Sequence, residues 1–437
     1  MQKNVLIEEY LDKEVKDFSI EVIKSRALPS VIDGFKPSAR KVIFTADQVI
    51  RSLPKKTAGF VGEVMSKGNY DKGDGSLPGI ITGLVQDFAG ARNVPFLEGV
   101  GEFGSRKVPD GDSAPRYTKV KLHKNFDRYF RDKELQIYTK QDNAYFDPDY
   151  FLPILPILLL NPIPKSPAVG FSCEFQPYNE KDIIKNIELH LDGKPMKTMK
   201  PYFKGHKGKV YKQDDRWIQE GIITRTGIKI KITELPVKIS REKYIAHLEK
   251  LVDIGLIRDY IEKSGDHFEF VVSISREQSR IFDKEKDKNL LKIFGLQIFL
   301  NENMNAISEQ DTLLEFDDPN EIIEYFVKHR LSILTKRKKF MIQKFKNNNL
   351  KIRDKLIFID GVISSKISLR NLKSKADLNS RIKNTQINDP ENVIGIPAYN
   401  LTFDEINRLK DEAKENKIRI AYYKKVTEKE LFLEDLK

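Results

Sequence analysis

Ala114-Pro-Arg116-Tyr117-Thr118 sets a phenol directly beside a guanidinium, after two short polar stretches, Gly101-Glu-Phe-Gly104-Ser-Arg106 and Asp110-Gly-Asp112-Ser-Ala. A phenolic oxygen can attack a phosphodiester, forming one ester as it displaces another. The free side chain is poorly suited to this, because with an ordinary pKa of about 10 roughly one phenol in a thousand is ionised at neutral pH. Cationic neighbours change the balance. Arg116, Arg106 and a further Lys or Arg would favour the phenolate and neutralise charge growing on the phosphorus. One tyrosine among sixteen is in general a packed ring with a satisfied hydroxyl, so it is the company of Tyr117 that marks it.

The chain is also basic. Its 437 residues carry 76 Lys and Arg against 64 Asp and Glu, a formal charge of +12, with a pI near 9.2. That balance favours a polyanionic partner. From Lys194 to Lys212 there are seven lysines and no acid, interleaved with Tyr202, Phe203, His206 and Tyr211. Such a segment can lie along phosphates or form a solvated loop, and composition leaves both open. The single cysteine, Cys173, excludes an intramolecular disulfide framework and suits a reducing compartment. There is no apolar run of membrane-spanning length and no signal-peptide pattern at the start, so the chain reads as soluble and cytoplasmic.

Three familiar chemistries are disfavoured. Gly99-Val-Gly101-Glu-Phe-Gly104 matches the dinucleotide fingerprint, but Pro109, Gly111 and Pro115 prevent the helix that must follow it. No phosphate-binding P-loop sequence occurs, and Cys and His are too few for a zinc site of the usual spacings. Asp74, Asp110 and Asp112 lie in loops and supply no evident set of metal ligands.

The elements that must position these residues fall into three zones. In the first, 1–150, Ser38 is expected to cap a helix with Val42, Ile43, Ala46, Val49 and Ile50 on one face. Thr57 is expected to cap a second through Val61 and Val64, and Ser76 a third, with Pro78 in its first turn and Leu77, Ile80, Ile81, Leu84, Val85 and Phe88 in helical spacing. Three short helices followed by strand-like stretches predict a winged helix-turn-helix. The second zone, 151–319, opens on an apolar run, Phe151 to Leu160. It alternates as a strand from Ile228 to Ile232, reads as another from Phe268 to Ile274, and has helical spacing from Ser240 to Gly255, which predicts a mixed α/β domain. In the third, 320–437, Ile322, Phe326, Ile333 and Phe340 recur on a highly charged background nearly free of Gly and Pro. A long helix packed on one partner follows, with capping signals at Thr402/Glu405 and Thr427/Glu430 for the return: an antiparallel helical hairpin with a small globular tip.

Six stretches in order resemble the DNA breakage-and-rejoining subunit of type IIA topoisomerases. They are Val31-Ile-Asp-Gly-Phe-Lys36-Pro-Ser-Ala-Arg40-Lys41-Val, Tyr70-Asp-Lys72-Gly-Asp74-Gly-Ser76-Leu, Asn93 to Arg106, Ala114 to Tyr117, Pro201-Tyr-Phe-Lys204-Gly-His-Lys207-Gly, and Ile232-Thr-Glu-Leu-Pro-Val237. The size and style are those of the medium subunits of T-even-type phage enzymes, which would place the chain in the cytoplasm of an infected bacterium. The resemblance implies a multidomain, helix-rich α/β protein: a winged-helix domain bearing the nucleophile Tyr117 with Arg116, a tower, and a coiled coil ending in a dimerisation gate. It implies DNA contacts from Lys36, Arg40, Lys41, Lys72, Ser76, Arg106, Lys204 and Lys207. Lys72 stands where the family has a histidine and is assigned to phosphate contact, since an ammonium is a poor general base unless burial lowers its pKa. Pro167 aligns with the side chain that wedges between base steps, and the reading of it as a rigid turn stays open. By the same resemblance, Mg2+ and ATP would be bound by a partner subunit with Toprim and ATPase domains, and two copies of this chain would cut both strands. With no evident room for a DNA-wrapping domain, relaxation rather than supercoiling is expected. A rival expectation is a non-catalytic architectural DNA-binding protein, which leaves the setting of Tyr117 unexplained.

Overall fold

Lys36 and Pro37 begin the first helix that matters for the site, α1 (Pro37–Val49). Proline suits the first helical position, where its missing N–H is no loss, and it holds the residue before it extended; Lys36 accordingly has φ −75° and ψ 154°. A computed structural model of the chain describes residues 11–437 apart from 71–72, 142–143, 169, 266, 285–286, 373 and 383–384. The chain separates into two units, Met1–His329 and Arg330–Lys437.

In the first unit α1 is followed by β1 (Lys55–Lys56), α2 (Thr57–Lys67), α3 (Leu77–Val85), β2 (Leu97–Val100) and β3 (Lys119–Leu122). The three strands form an antiparallel sheet in the order β1-β3-β2, with Val120 opposite both Lys55 and Gly99. The helices lie where the apolar spacing expects them, but their caps differ. Ser38 falls inside α1, and the cap positions of α2 and α3 carry no side-chain cap bond. Two of these hydroxyls have other partners. The Thr57 hydroxyl pairs with that of Thr118 at 2.8 Å, and the Ser76 hydroxyl with that of Tyr70 at 2.9 Å.

Beneath these helices the rings of Phe35, Phe96, Phe126, Tyr129, Phe130 and Phe151 are all buried and stack edge-on or tilted on one another. Asp33 sits among them and is fully enclosed. Its carboxylate accepts from Arg40 Nε at 2.7 Å and Nη2 at 3.0 Å, and from the N–H groups of Phe35 at 3.0 Å and Phe151 at 2.9 Å. Gly34 follows with φ +67°, and a Cβ there would lie 2.6 Å from the Leu158 nitrogen, so only glycine lets the turn approach that backbone. The apolar run Phe151 to Leu160 is buried from end to end.

The remainder of the unit is mixed α/β, as expected. The strands Ile222–Thr226, Lys229–Glu234, Phe270–Ser273 and Asp259–Glu262 make an antiparallel sheet in that order. Ile230 and Ile232 point into its core, while Lys229 and Lys231 face solvent. Helix Arg241–Asp253, capped by Ser240, packs Tyr244, Leu248 and Leu251 into the same core. A second antiparallel sheet joins Gln297–Leu300, Arg216–Glu220 and Val210–Gln213, and a hairpin pairs Ile163–Pro167 with Ser172–Phe175.

A 45-residue helix, Pro319–Ile363, opens the C-terminal part. Within the second unit it runs antiparallel to the helices Phe403–Lys425 and Glu428–Asp435. The Arg330–Asp435 ion pair at 2.6 Å, the Lys338–Glu428 pair at 3.2 Å, the stacked rings of Phe345 and Tyr423, and the Asn416–Asn349 bond at 3.1 Å mark its course. Thr402 and Thr427 cap the return helices as expected, the latter with Glu430 in a reciprocal box. Ile322, Phe326 and Ile333 are buried, but Phe340 is 36% exposed, because a 3.6-residue helix drifts by about 20° per seven-residue interval. Ile359, Ile367, Leu378, Ile382, Val393 and Leu409 form a separate small core at the far end of the pair.

Replacing Asp33 by Ala would leave the Arg40 guanidinium buried without its counter-ion. The expected cost is about 3–5 kcal/mol in chemical denaturation, larger than an ordinary core truncation of that size. A loss below about 1 kcal/mol would show that the carboxylate does not organise this core.

Candidate functional site

Pro115 occupies the second position of a turn that brings the Tyr117 N–H back to the Ala114 carbonyl at 2.9 Å. The turn is fastened to the start of α2: Ala58 N–H donates to Pro115 O at 3.1 Å, and Thr57 N–H to Thr118 O at 3.0 Å. From here the residues alternate between inside and outside. Thr118 is 2% exposed and Val120 is buried, whereas Tyr117 is 72% exposed. A large ring is thus held out in solvent on a base that cannot shift without breaking buried bonds. The Arg116 guanidinium carbon lies 5.1 Å from the Tyr117 ring centroid, within cation–π range. Because Arg keeps its charge at any physiological pH, the phenol has a permanent cation beside it.

The loop leading to this turn is braced across itself. Gln86, just past the end of α3, donates from Nε2 to Phe103 O at 2.7 Å and Pro109 O at 2.9 Å, and Ser113 N–H reaches Glu102 O at 3.0 Å. Gly104 has φ +81°, and a Cβ on it would come within 2.2 Å of Pro109 O. Its glycine therefore serves closure of this loop, which is why the G-x-G-x-x-G pattern here opens no helix.

Of the expected DNA-contacting cations, the structure turns three inward. Arg40 is 6% exposed and committed to Asp33. Lys41 donates to Asp147 at 2.9 Å and Gly68 O at 3.0 Å. Arg106 donates to the carbonyls of Ile239 at 3.0 Å, Pro236 at 2.7 Å and Leu235 at 3.2 Å, with its guanidinium over the Phe268 ring. Charge that leaves solvent must find partners, and these three have found theirs within the protein. Lys204 and Lys207 are different: their side chains are exposed while their own N–H groups are pinned, to Asn93 Oδ1 at 2.8 Å and Glu234 Oε2 at 3.4 Å. Ser76 is exposed in the turn before α3. Lys72 lies outside the described residues.

Lys36 is brought to the hairpin that carries Pro167, its Nζ 2.7 Å from Ser166 Oγ, and burial pushes its ammonium below the usual lysine range. Pro167 is exposed opposite Ser172 at the hairpin's end. A cavity of about 310 Å³ opens beside Lys36, and Arg26 and Arg92 join it there. Arg92 donates to Gly83 O at 2.6 Å, and burial lowers its guanidinium to about 10. Sequence reasoning missed both arginines, and no local signal marks them, since only the fold brings residues 26, 36 and 92 to one wall.

Asp112 accepts the Thr82 hydroxyl at 3.2 Å, and among the described residues no three His, Cys, Asp or Glu side chains gather as ligands. Among those residues no helix is long and apolar enough to cross a membrane.

The family model for the A-type subunits of DNA gyrase/topoisomerase IV matches residues 26–437. The chain is 30% identical over 440 residues to the DNA topoisomerase medium subunit of Enterobacteria phage T4, covering 98% of each protein. It is also 30% identical over 429 residues to DNA topoisomerase 2 of Meyerozyma guilliermondii, spanning 94% of this chain but only 30% of that protein. Among solved structures, the DNA-binding, cleavage and re-ligation domain of Plasmodium falciparum topoisomerase II superposes with a TM-score of 0.90 at 25% identity, over 98% of this chain and 63% of that one.

One electrostatic feature of the site is open to direct measurement. Burial alone would raise the Glu234 carboxyl, but the His206 imidazole, the Lys207 N–H and the Arg106 guanidinium outweigh it and hold the group below the ordinary range. A carboxyl depressed in the folded state adds stability that is complete above its unfolded pKa and is lost as pH falls through the folded one. Glu234→Gln is therefore expected to remove part of the stability lost below about pH 4. Acid titrations of both proteins that coincide would contradict this.

Proposed function

Since the chain belongs to the family of A-type subunits of DNA gyrase and topoisomerase IV, we propose that it is the DNA cleavage-and-rejoining component of a type II topoisomerase. Tyr117 Oη attacks a backbone phosphorus and gives up its proton. The bond from phosphorus to the 3′ oxygen breaks, and that oxygen takes up a proton to leave a 3′-hydroxyl and a 5′-phosphotyrosyl ester. One phosphoester replaces another, so resealing is the same step reversed and needs no outside energy. The observation that carries this reading is the pairing of an exposed phenol with Arg116 on a buried, hydrogen-bonded base.

Arg116 stabilises the phosphoryl oxygens as charge grows on them. Lys36 holds the backbone beside the hairpin whose Pro167 wedges a base step, Lys72 and Ser76 contact phosphate, and Lys204 and Lys207 follow the flanking duplex. Such contacts read backbone and bendability more than sequence. Arg40, Lys41 and Arg106 leave the set of DNA contacts and join the scaffold. In this reading residues 1–150 form a winged-helix cleavage domain, 151–319 a tower, and 320–437 a coiled coil with the dimerisation gate. Relaxation of DNA is the expected outcome.

Type II topoisomerases use Mg2+ and ATP. By the resemblance both are assigned to a partner chain, and no step of this one is routed through them. The chain spans about 30% of the length of several DNA topoisomerase 2 relatives. Two copies would act together, one for each strand.

Tyr117→Phe is expected to bind duplex DNA within about twofold of the parent and to leave no protein-linked DNA after denaturant trapping, in the presence of the partner chain. Arg116→Ala should lower the trapped fraction about 10²–10³-fold with little change in affinity. An adduct that survives Tyr117→Phe, or one mapped to a different side chain, would point to another nucleophile, and no adduct from the parent with its partner chain would favour the architectural reading.

A further inference from the structure

Arg106 and His206 grip one short turn from opposite sides. On one side, Arg106 of the Tyr117 loop donates to the carbonyls of Leu235, Pro236 and Ile239, and the neighbouring Arg241 N–H reaches Lys107 O at 3.4 Å. On the other, the lysine segment holds Glu234, the residue that begins the turn. Lys207 N–H approaches its Oε2 at 3.4 Å, and His206 Nδ1 lies 3.7 Å from its Oε1. His206 is fixed from its far side by the Glu220 carbonyl, 3.1 Å from Nε2. Gly208 abuts that same carbonyl so closely that a Cβ would lie 1.8 Å from it. The Arg106 face is held by three hydrogen bonds, and the lysine-segment face meets Glu234 through the Lys207 N–H and the nearby His206 ring. Gln86, bonded to Phe103 O and Pro109 O, brackets Arg106 in the loop that leads to Tyr117.

We propose, on the premise that Tyr117 attacks DNA, that the Glu234–Ile239 turn is a positioning hub: duplex gripped by Lys204 and Lys207 sets the placement of Tyr117 through His206, Glu234 and Arg106. Arg106 and His206 are then positioning residues that touch no DNA. Their effect falls on the chemical step at saturating duplex and spares affinity. Because they act through one turn, it should be lost once rather than twice.

The test uses the full chain, its partner chain and a labelled linear duplex, measuring affinity and the trapped covalent fraction at saturation. Arg106→Ala and His206→Ala should each lower that fraction about tenfold while affinity stays within about twofold. The double variant should lose about tenfold rather than about a hundredfold, and Arg106→Lys, which can still donate to a carbonyl, should recover most of the loss. Three results would overturn the hub. Weaker binding with normal cleavage at saturation would make Arg106 a phosphate contact. Losses that multiply in the double variant would make the two sites independent. A lowered melting temperature with unchanged trapping well below it would make both merely structural. Failure of the underlying reading is separately visible, since an adduct would then persist in Tyr117→Phe.

Discussion

The Asp33 carboxylate, enclosed among aromatic rings, fixes where everything near the site can be. Its four hydrogen bonds join the start of α1, through Phe35 and Arg40, to the apolar run that begins at Phe151. A buried ion pair of this kind adds little net stability compared with a well-packed apolar pair, yet it tolerates no loss of one partner. What it supplies is direction. With Arg40 aimed inward at Asp33, Lys36 at the start of α1 is left beside Ser166 and the wall shared with Arg26 and Arg92.

A second constraint separates what is rigid from what is exposed. The backbone around Tyr117 is held by bonds to Thr57 and Ala58, and that around Lys204 and Lys207 by Asn93 and Glu234. The side chains themselves reach into solvent. For a reaction between a protein nucleophile and a polymer this division is useful. Attack needs the phenolic oxygen in line with one phosphorus, which rewards a fixed base, whereas contact with a polyanion needs only mobile ammonium groups that release counter-ions. In the proposed transesterification the demand for positioning is greater still, because no chemical driving force separates cleavage from resealing.

Much of this was legible from local pattern. The alternation of Lys229, Ile230, Lys231 and Ile232 gave a strand with one buried face, and Thr402 and Thr427 gave helix starts. The caps at Ser38, Thr57 and Ser76 were not legible. Pro37 took the first helical position ahead of Ser38, and partners at Thr118 and Tyr70 claimed the other two hydroxyls. Local propensity is worth about 1 kcal/mol at a cap, and one buried tertiary bond can match it.

By itself the amino-acid order determined that a phenol and a guanidinium would be neighbours, that lysines would crowd one segment, and that helices and strands would fall in their observed order. These depend on residues close in sequence, where side-chain type and spacing decide. Tertiary structure alone decided which cations face outward. Arg106 finds its carbonyls about 130 positions away, and Lys41 its carboxylate 106 positions away. A charged side chain leaves water only where the fold offers a partner, and partners so distant in the chain are set by packing of the whole core.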